Sequence, residues 1–263
     1  MKKLKTILYI LLVLLFLVSV IWTLQFAHRQ NSERTSDQVR VFIDTQNGAV
    51  FITEDEIIQQ LSSARLRPEG QIANLNVHAI ESFLLQNSAI QNVNVFTQIS
   101  GEVDIRILQR QPIVRIENAQ RQHFFIGSDG VLMAIPPNHT ARLLIANGNI
   151  FESFRPNKNV VESAIDVPSG RITLCKIYQL ATYINNDEFL SVLISQIYVN
   201  SRNEFELVSN VRNQIILLGR AENFENQFRR LHHFYHQAIR KVDINQYRII
   251  NLKFDNQLIG TRL

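Results

Sequence analysis

The chain has 263 residues, of which 46% are hydrophobic, 19% charged and 9% aromatic, a balance that excludes a disordered or collagen-like chain. A single cysteine, Cys175, excludes an intrachain disulfide framework. The net charge of +4 does not make a nucleic-acid binder: Lys2, Lys3 and Lys5 supply most of the excess, and a phosphate-coating domain needs its charge in the folded part.

Those lysines precede an uncharged, almost wholly apolar stretch from Thr6 to Ala27. At about 1.5 Å per residue it is long enough to cross a bilayer core of about 30 Å. The lysines before it place the N-terminus in the cytoplasm. The apolar core is longer than the roughly 7–15 residues of a cleaved signal, and the exit from Trp22 to His28 has no A-x-A pattern. An uncleaved anchor is expected: residues 1–5 a cytoplasmic tail, 6–27 a transmembrane helix, 28–38 a polar linker.

Residues 39–43 alternate as a strand, and residues 49–52 form a second β-prone run. Thr53 and Glu56 have capping-box spacing, and Ile57, Ile58 and Leu61 supply the apolar face of the helix that follows. Gly70 marks a break. A second helix is predicted from Asn76 to Asn87, with Ala79, Ile80, Phe83 and Leu84 on one face. Strands are predicted over 90–97 and 102–107, joined by a turn at Ser100 and Gly101. This is a small α+β unit with helices on one side of a short sheet.

Gln111 and Pro112 mark a boundary, beyond which the pattern is mostly β. Strands are predicted over 113–116, 122–126, 131–133 and 141–146, with a turn at Ser128, Asp129 and Gly130. Residues 147–170 are expected to be irregular. A helix over 173–186 buries Ile177, Leu180, Ala181 and Ile184. Strands over 193–199, 205–208 and 214–218 follow. A helix over 222–238 buries Phe224, Phe228, Leu231, Tyr235 and Ala238, and a terminal strand spans Arg248 to Phe254.

Few residues point to chemistry. His232 and His236 are four apart on a helix, a metal-ligand spacing, but His233 stands where a zinc protease needs its glutamate. The plainer account is the polar flank of an amphipathic helix. Cys175 beside Lys176 is far more often a small core residue than an activated thiol. The run Gly127 to Gly130 lacks G-x-S-x-G spacing, and no phosphate-binding glycine motif is present. No catalytic residue, cofactor or metal is expected.

The stretches Phe51 to Ile57, Asn87 to Val95, Val103 to Ile116, Phe125 to Met133, Asn138 to Leu144 and Asn251 to Asp255, in that order, resemble the FtsQ/DivIB family of bitopic cell-division proteins. Phe51 to Ile57 resembles the start of that family's POTRA domain. Asn87 to Val95 resembles its N-P-x-I-x-x-A-x-V stretch, with Ser88 in place of Pro. Val103 to Ile116 resembles the junction I-x-I-x-E-R-x-P-I-A-R, with Gln109 at the acid's position. Phe125 to Met133 resembles the hairpin Y-I-D-x-x-G-x-x-M, and Asn138 to Leu144 a segment of Bacteroidetes-like members. Asn251 to Asp255 resembles the terminal D-L-R-Y-D. The resemblance spans nearly the whole chain. It implies a POTRA domain (β-α-α-β-β) over 39–110 and an FtsQ-type β domain over 111–263, mixed β with flanking helices and a C-terminal edge strand. The fold class is therefore α+β behind one transmembrane helix.

The resemblance further implies a non-enzymatic scaffold of the divisome, in the cytoplasmic (inner) membrane at the septum, single-pass with the bulk periplasmic. It implies FtsB-like and FtsL-like partners, a link to septal peptidoglycan synthesis, and further divisome partners at the POTRA domain. An FtsB-like partner would add a strand to the last strand, at Arg248, Ile250, Asn251, Leu252, Lys253 and Phe254. Physically, a terminal strand is a natural edge with unpaired backbone groups. Phe254 stands where the family has a contact Tyr and lacks its hydroxyl; either Leu252 or Phe254 should face the core. Residues 28–120 carry a net −3 and residues 121–263 a net +4. A basic β domain suits an acidic partner segment, and ordinary surface charge accounts for it equally well. Two alternatives remain open: an envelope assembly or secretion factor whose POTRA unit binds unfolded strands, and a membrane-anchored periplasmic hydrolase.

Overall fold

The computed structural model describes residues 14–23, 35–36, 39–46, 49–68, 70–71, 75–98, 100–136, 143–162, 173–238, 246–254 and 257–262. Residues 14–23 are helical and exposed. Among the described residues no helix is long and apolar enough to cross a membrane. The flanks of the expected span, 6–13 and 24–27, lie outside them, as do the expected tail and most of the linker. The chain forms two compact units.

The first unit comprises Met1–Asp44, Ile52–Leu85 and Asn92–Leu108. Its elements are β1 (Thr35–Ser36), β2 (Val39–Asp44), α1 (Glu54–Ser63), β3 (Gly70–Gln71), α2 (Val77–Leu84), β4 (Ile90–Thr97) and β5 (Val103–Gln109). β2, β5 and β4 form a three-stranded sheet in that order, with β2 parallel to β5. α1 starts where the capping box places it. Thr53 Oγ1 accepts from the Glu56 N–H at 3.3 Å, and the Glu56 carboxylate accepts from the Thr53 N–H at 3.0 Å. Ile57 and Leu61 of α1 and Ile80 and Leu84 of α2 are buried, as are Val103, Ile105 and Ile107 of β5. α2 stops at Leu84, short of the predicted Asn87. The Asn87 side chain accepts from the Ala89 N–H at 3.0 Å, a local bond that competes with helix. Gly70, expected as a break, pairs with Ser36 in a two-stranded ribbon of β1 and β3.

The second unit comprises Thr45–Phe51, Gln86–Gln91 and Gln109–Leu263. The predicted strand at 49–52 does not form: the Phe51 N–H donates at 2.6 Å to the Gln109 side chain, and Gln109 returns a bond to the Ala49 carbonyl at 2.7 Å. The strands are β6 (Pro112–Glu117), β7 (His123–Gly127), β8 (Leu132–Met133), β9 (Leu144–Gly148), β10 (Ile194–Val199), β11 (Phe205–Ser209), β12 (Ile215–Gly219), β13 (Tyr247–Asn251) and β14 (Ile259–Arg262). The helices are α3 (Thr173–Asn185), α4 (Glu188–Leu193) and α5 (Phe224–Ala238). One nine-stranded mixed sheet runs β14-β13-β12-β11-β10-β9-β6-β7-β8.

Strand alternation decides its two faces. Val114, Ile116, Ile197, Leu207, Ile216 and Ile250 join one buried cluster with Ile177, Leu180, Leu190, Phe228 and Leu231 of the helices. Arg115, Ile145 and Tyr198 face the other way and are exposed. The helices therefore cover one face, a two-layer arrangement.

Three expectations shift. α4 was not predicted; Asp187 caps it, accepting from the Phe189 and Leu190 N–H groups at 3.0 and 2.9 Å. β9 begins at Leu144, while residues 141–142 and 163–170 lie outside the described set, as does the Ala238 side chain. The predicted terminal strand is not terminal. β13 stops at Asn251, whose side chain accepts from the Lys253 N–H at 3.0 Å and turns the backbone, and β14 follows.

Candidate functional site

The histidine cluster resolves into packing. His232 Nε2 lies 2.9 Å from Asp187 Oδ2, and its ring lies 4.5 Å from that of Phe189. Burial pushes the Asp187 carboxyl up, but the Leu190 and Phe189 N–H groups and His232 outweigh it, and the net shift is downward. Among the described residues no group of three or more His, Cys, Asp or Glu is placed to hold a metal ion. Cys175 is buried in the first turn of α3, and burial pushes its thiol up, against the pull of Lys176. That is the opposite of activation.

The C-terminal end of the large sheet is built differently. β12 and β13 are parallel neighbours, and α5 is the crossover between them. Phe228, Leu231 and Tyr235 bury the apolar side of α5. Its buried polar groups hold strand ends. The Gln227 amide donates to the Leu218 carbonyl at 2.8 Å and the Leu252 carbonyl at 3.1 Å. The Tyr235 hydroxyl donates to Gln214 Oε1 at 2.6 Å, and the Gln214 amide donates to the Tyr247 carbonyl at 2.8 Å. Burial pushes the Tyr235 phenol up, so it remains a donor.

β13 is fixed on its β12 side. Ile249 and Ile250 pair with Ile215 and Ile216, and the Leu252 N–H donates to the Leu217 carbonyl at 2.9 Å. Alternation then directs the backbone groups of Ile249 and Asn251 to the opposite side, toward β14. Lys253 Nζ lies 2.6 Å from Glu204 Oε2. That contact first, and Asn200 second, hold the Glu204 carboxyl below its usual range.

β14 completes this end of the sheet. It pairs antiparallel with β13, with Thr261 opposite Ile249, Gly260 opposite Ile250 and Ile259 opposite Asn251. The Tyr247 ring lies against Gly260, where an added Cβ would come 2.5 Å from Tyr247 Cδ1. The Arg262 guanidinium sits 5.7 Å from the centroid of the same ring, and Phe234 meets it edge-on. Arg230 of α5 secures the connection. It donates to the carbonyls of Leu252 at 3.0 Å, Phe254 at 2.5 Å and Gln257 at 2.6 Å.

The six residues expected on the partner edge therefore occupy different situations. Ile250 and Leu252 are fully buried in the core. Arg248 and Phe254 are exposed, and Asn251 and Lys253 are half-buried. Of Leu252 and Phe254, Leu252 faces the core. β13 has a neighbour on each side, so among the described residues the outermost strand at this end is β14. β14 and Arg230 were not anticipated. The signal available for β14 was Ile259 and Thr261 at alternate positions, only four residues long and broken by Gly260.

Residues 111–261 match the family model described as FtsQ/DivIB, C-terminal related. The chain belongs to the FtsQ/DivIB family of cell division proteins. Residues 34–108 match a POTRA-like domain, and the junction around Gln109 and Arg110 falls between the two matches. No curated protein matches the chain. A POTRA-like domain followed by an FtsQ/DivIB-related domain is the make-up of a divisome-type scaffold.

Proposed function

We propose that this FtsQ/DivIB member is a non-enzymatic, bitopic scaffold of the divisome. Residues 6–27 anchor it in the cytoplasmic membrane, residues 1–5 stay inside, and the POTRA-like and C-terminal domains lie outside at the septum. Its C-terminal sheet end captures an extended strand of an FtsB-like partner, with an FtsL-like protein in the same assembly. One observation carries this: the large sheet ends in a short, exposed strand backed by one that is paired to β12 and anchored by buried Ile250, in the domain that matches the family. Backbone pairing at such an edge supplies affinity, and alternate side chains supply register. Of the six residues, Arg248, Asn251, Lys253 and Phe254 offer side chains, while Ile250 and Leu252 hold the strand down.

The test is a pull-down with the periplasmic segment of the FtsB-like partner, with a melting curve for each variant. Leu252→Pro removes the N–H that bonds Leu217 and should lose the fold. The Lys253 N–H bonds the Asn251 side chain and not β12, so Lys253→Pro should stay folded; by undoing the turn that ends β13 it should lose capture. Phe254→Ala should weaken capture by about 2 kcal/mol, as loss of an aromatic anchor commonly does. If the Lys253 and Phe254 variants are both folded and bind like wild type, the partner sits elsewhere.

A further inference from the structure

We propose that β14 is a self-supplied strand occupying the partner's seat on β13, and that the partner's strand displaces it. The proposal rests on the scaffold reading above and adds what covers the site and what the incoming strand must look like. β14 contributes nothing to the core. Ile259 is 42% exposed, Thr261 and Arg262 are exposed, and Gly260 has no side chain to bury. An element with so little burial opens at low cost. The seat stays built when it leaves. β13 keeps its ladder to β12, its Gln214 bond and its buried Ile250, and Leu252 just after it keeps its Gln227 bond and its burial.

The connection is also suited to exchange. Asn251 turns the chain, and Arg230 pins the carbonyls of Leu252, Phe254 and Gln257. β14 can thus detach while its root stays fixed, and a short tether holds it at high effective concentration. The contacts of β14 describe the strand that replaces it. That strand runs antiparallel to β13 and needs a very small residue opposite Ile250, because the Tyr247 ring fills the space a Cβ would take. Two residues further on, a cation is favoured over the Tyr247 ring, where Arg262 now sits. The partner is an extended segment with a Gly-x-cation pattern, competing with the chain's own tail.

Three measurements on the full-length protein decide it. First, hydrogen exchange without partner: the amides that face each other across this pair, those of Ile249, Asn251, Ile259 and Thr261, should exchange together, about 100-fold faster than those of Ile216 to Leu218 in β12. Exchange as slow as in β12 overturns the proposal. Second, Gly260→Val drives a branched side chain into the Tyr247 ring and should unseat β14. When a seat is mostly covered, affinity falls by the uncovered fraction, so this variant should bind the FtsB-like periplasmic segment about tenfold tighter or more. Third, Ile249→Cys with Thr261→Cys places cysteines on register partners. Oxidised, this lock should weaken capture about tenfold or more, with recovery on reduction. Capture that the oxidised lock leaves unchanged overturns the proposal and leaves the scaffold reading standing. No capture by any variant, the reduced lock included, overturns both.

Discussion

Arg110 is 6% exposed and serves three partners at once. Its Nε donates to Asp129 Oδ2 at 2.9 Å, a terminal amino group donates to the Ser88 carbonyl, and its own N–H reaches the Ala89 carbonyl at 2.8 Å. Breaking a buried ion pair leaves a charge uncompensated. Arg110→Ala should therefore destabilise the second unit by about 3 kcal/mol in denaturant titration. Arg110→Lys should recover little, because an ammonium lacks the planar fork that serves two directions. A loss below about 0.5 kcal/mol in Arg110→Ala would show that the network does not bear on stability. Asp104 makes a pH prediction. Gln98 donates to it at 2.6 Å and Arg40 at 3.0 Å; Gln98 first, then Arg40, hold its carboxyl below the usual range against the effect of burial. A depressed folded-state pKa stabilises above the ordinary value and loses that contribution as pH falls through the folded one, below about pH 4. Asp104→Asn should cost about 1–2 kcal/mol at pH 7, and its deficit relative to wild type should shrink steadily below about pH 4. A deficit unchanged at pH 2 would contradict it. Arg110 was visible in sequence inside the junction motif. The burial of Asp104 was not: strand alternation placed it on a solvent face, and the arginine that covers it lies 64 residues away.

At the scale of elements, legibility followed length and local capping. α1 and α2 carry their start signals, Thr53 with Glu56 and Asn76, in the sequence, and each signal is a hydrogen bond in the structure. β5 and β6 alternate in sequence and β7 is a short apolar run, and all three lie within a residue or two of where those patterns place them. α4 has six residues in an apolar run leading straight into β10, so its period is too short to separate from the strand. β14 depends on β13, Tyr247 and Arg230, none of them local to it, and its own four residues have no independent preference strong enough to read. Arg230 makes the element-scale prediction. Its three carbonyl acceptors all lie between β13 and β14. Arg230→Gln should raise protease cleavage between residues 252 and 258 while leaving the main unfolding transition in place. Unchanged cleavage would mean that the connection is held by something other than this guanidinium.

At the scale of the whole molecule, every buried apolar residue among the described ones lies between Val41 and Leu252. Residues 14–23 stand apart. Leu14, Leu15, Phe16, Leu17 and Trp22 are each more than half exposed, on a helix apolar all round. A helix of that kind is buried in a large core or in lipid, and neither core here takes it up. Among the described residues, burial, hydrogen bonding and caps in the two units therefore owe nothing to residues 14–23. Removing residues 1–27 should leave 28–263 folded in buffer without detergent, with the same melting transition by circular dichroism as the full chain in detergent micelles. A chain that is unfolded without them would mean that residues 1–27 also serve the fold. In the full-length protein, the proposed orientation puts the short tail inside, since the lysines at 2, 3 and 5 precede the apolar stretch and cytoplasmic flanks collect positive charge. Protease added to intact spheroplasts should then digest residues 39–263 and spare a tag fused ahead of Met1. Protection of the bulk with loss of the tag would reverse the orientation and take the septal scaffold proposal with it, since the sheet end at β13 and β14 would face the cytoplasm, away from any periplasmic strand.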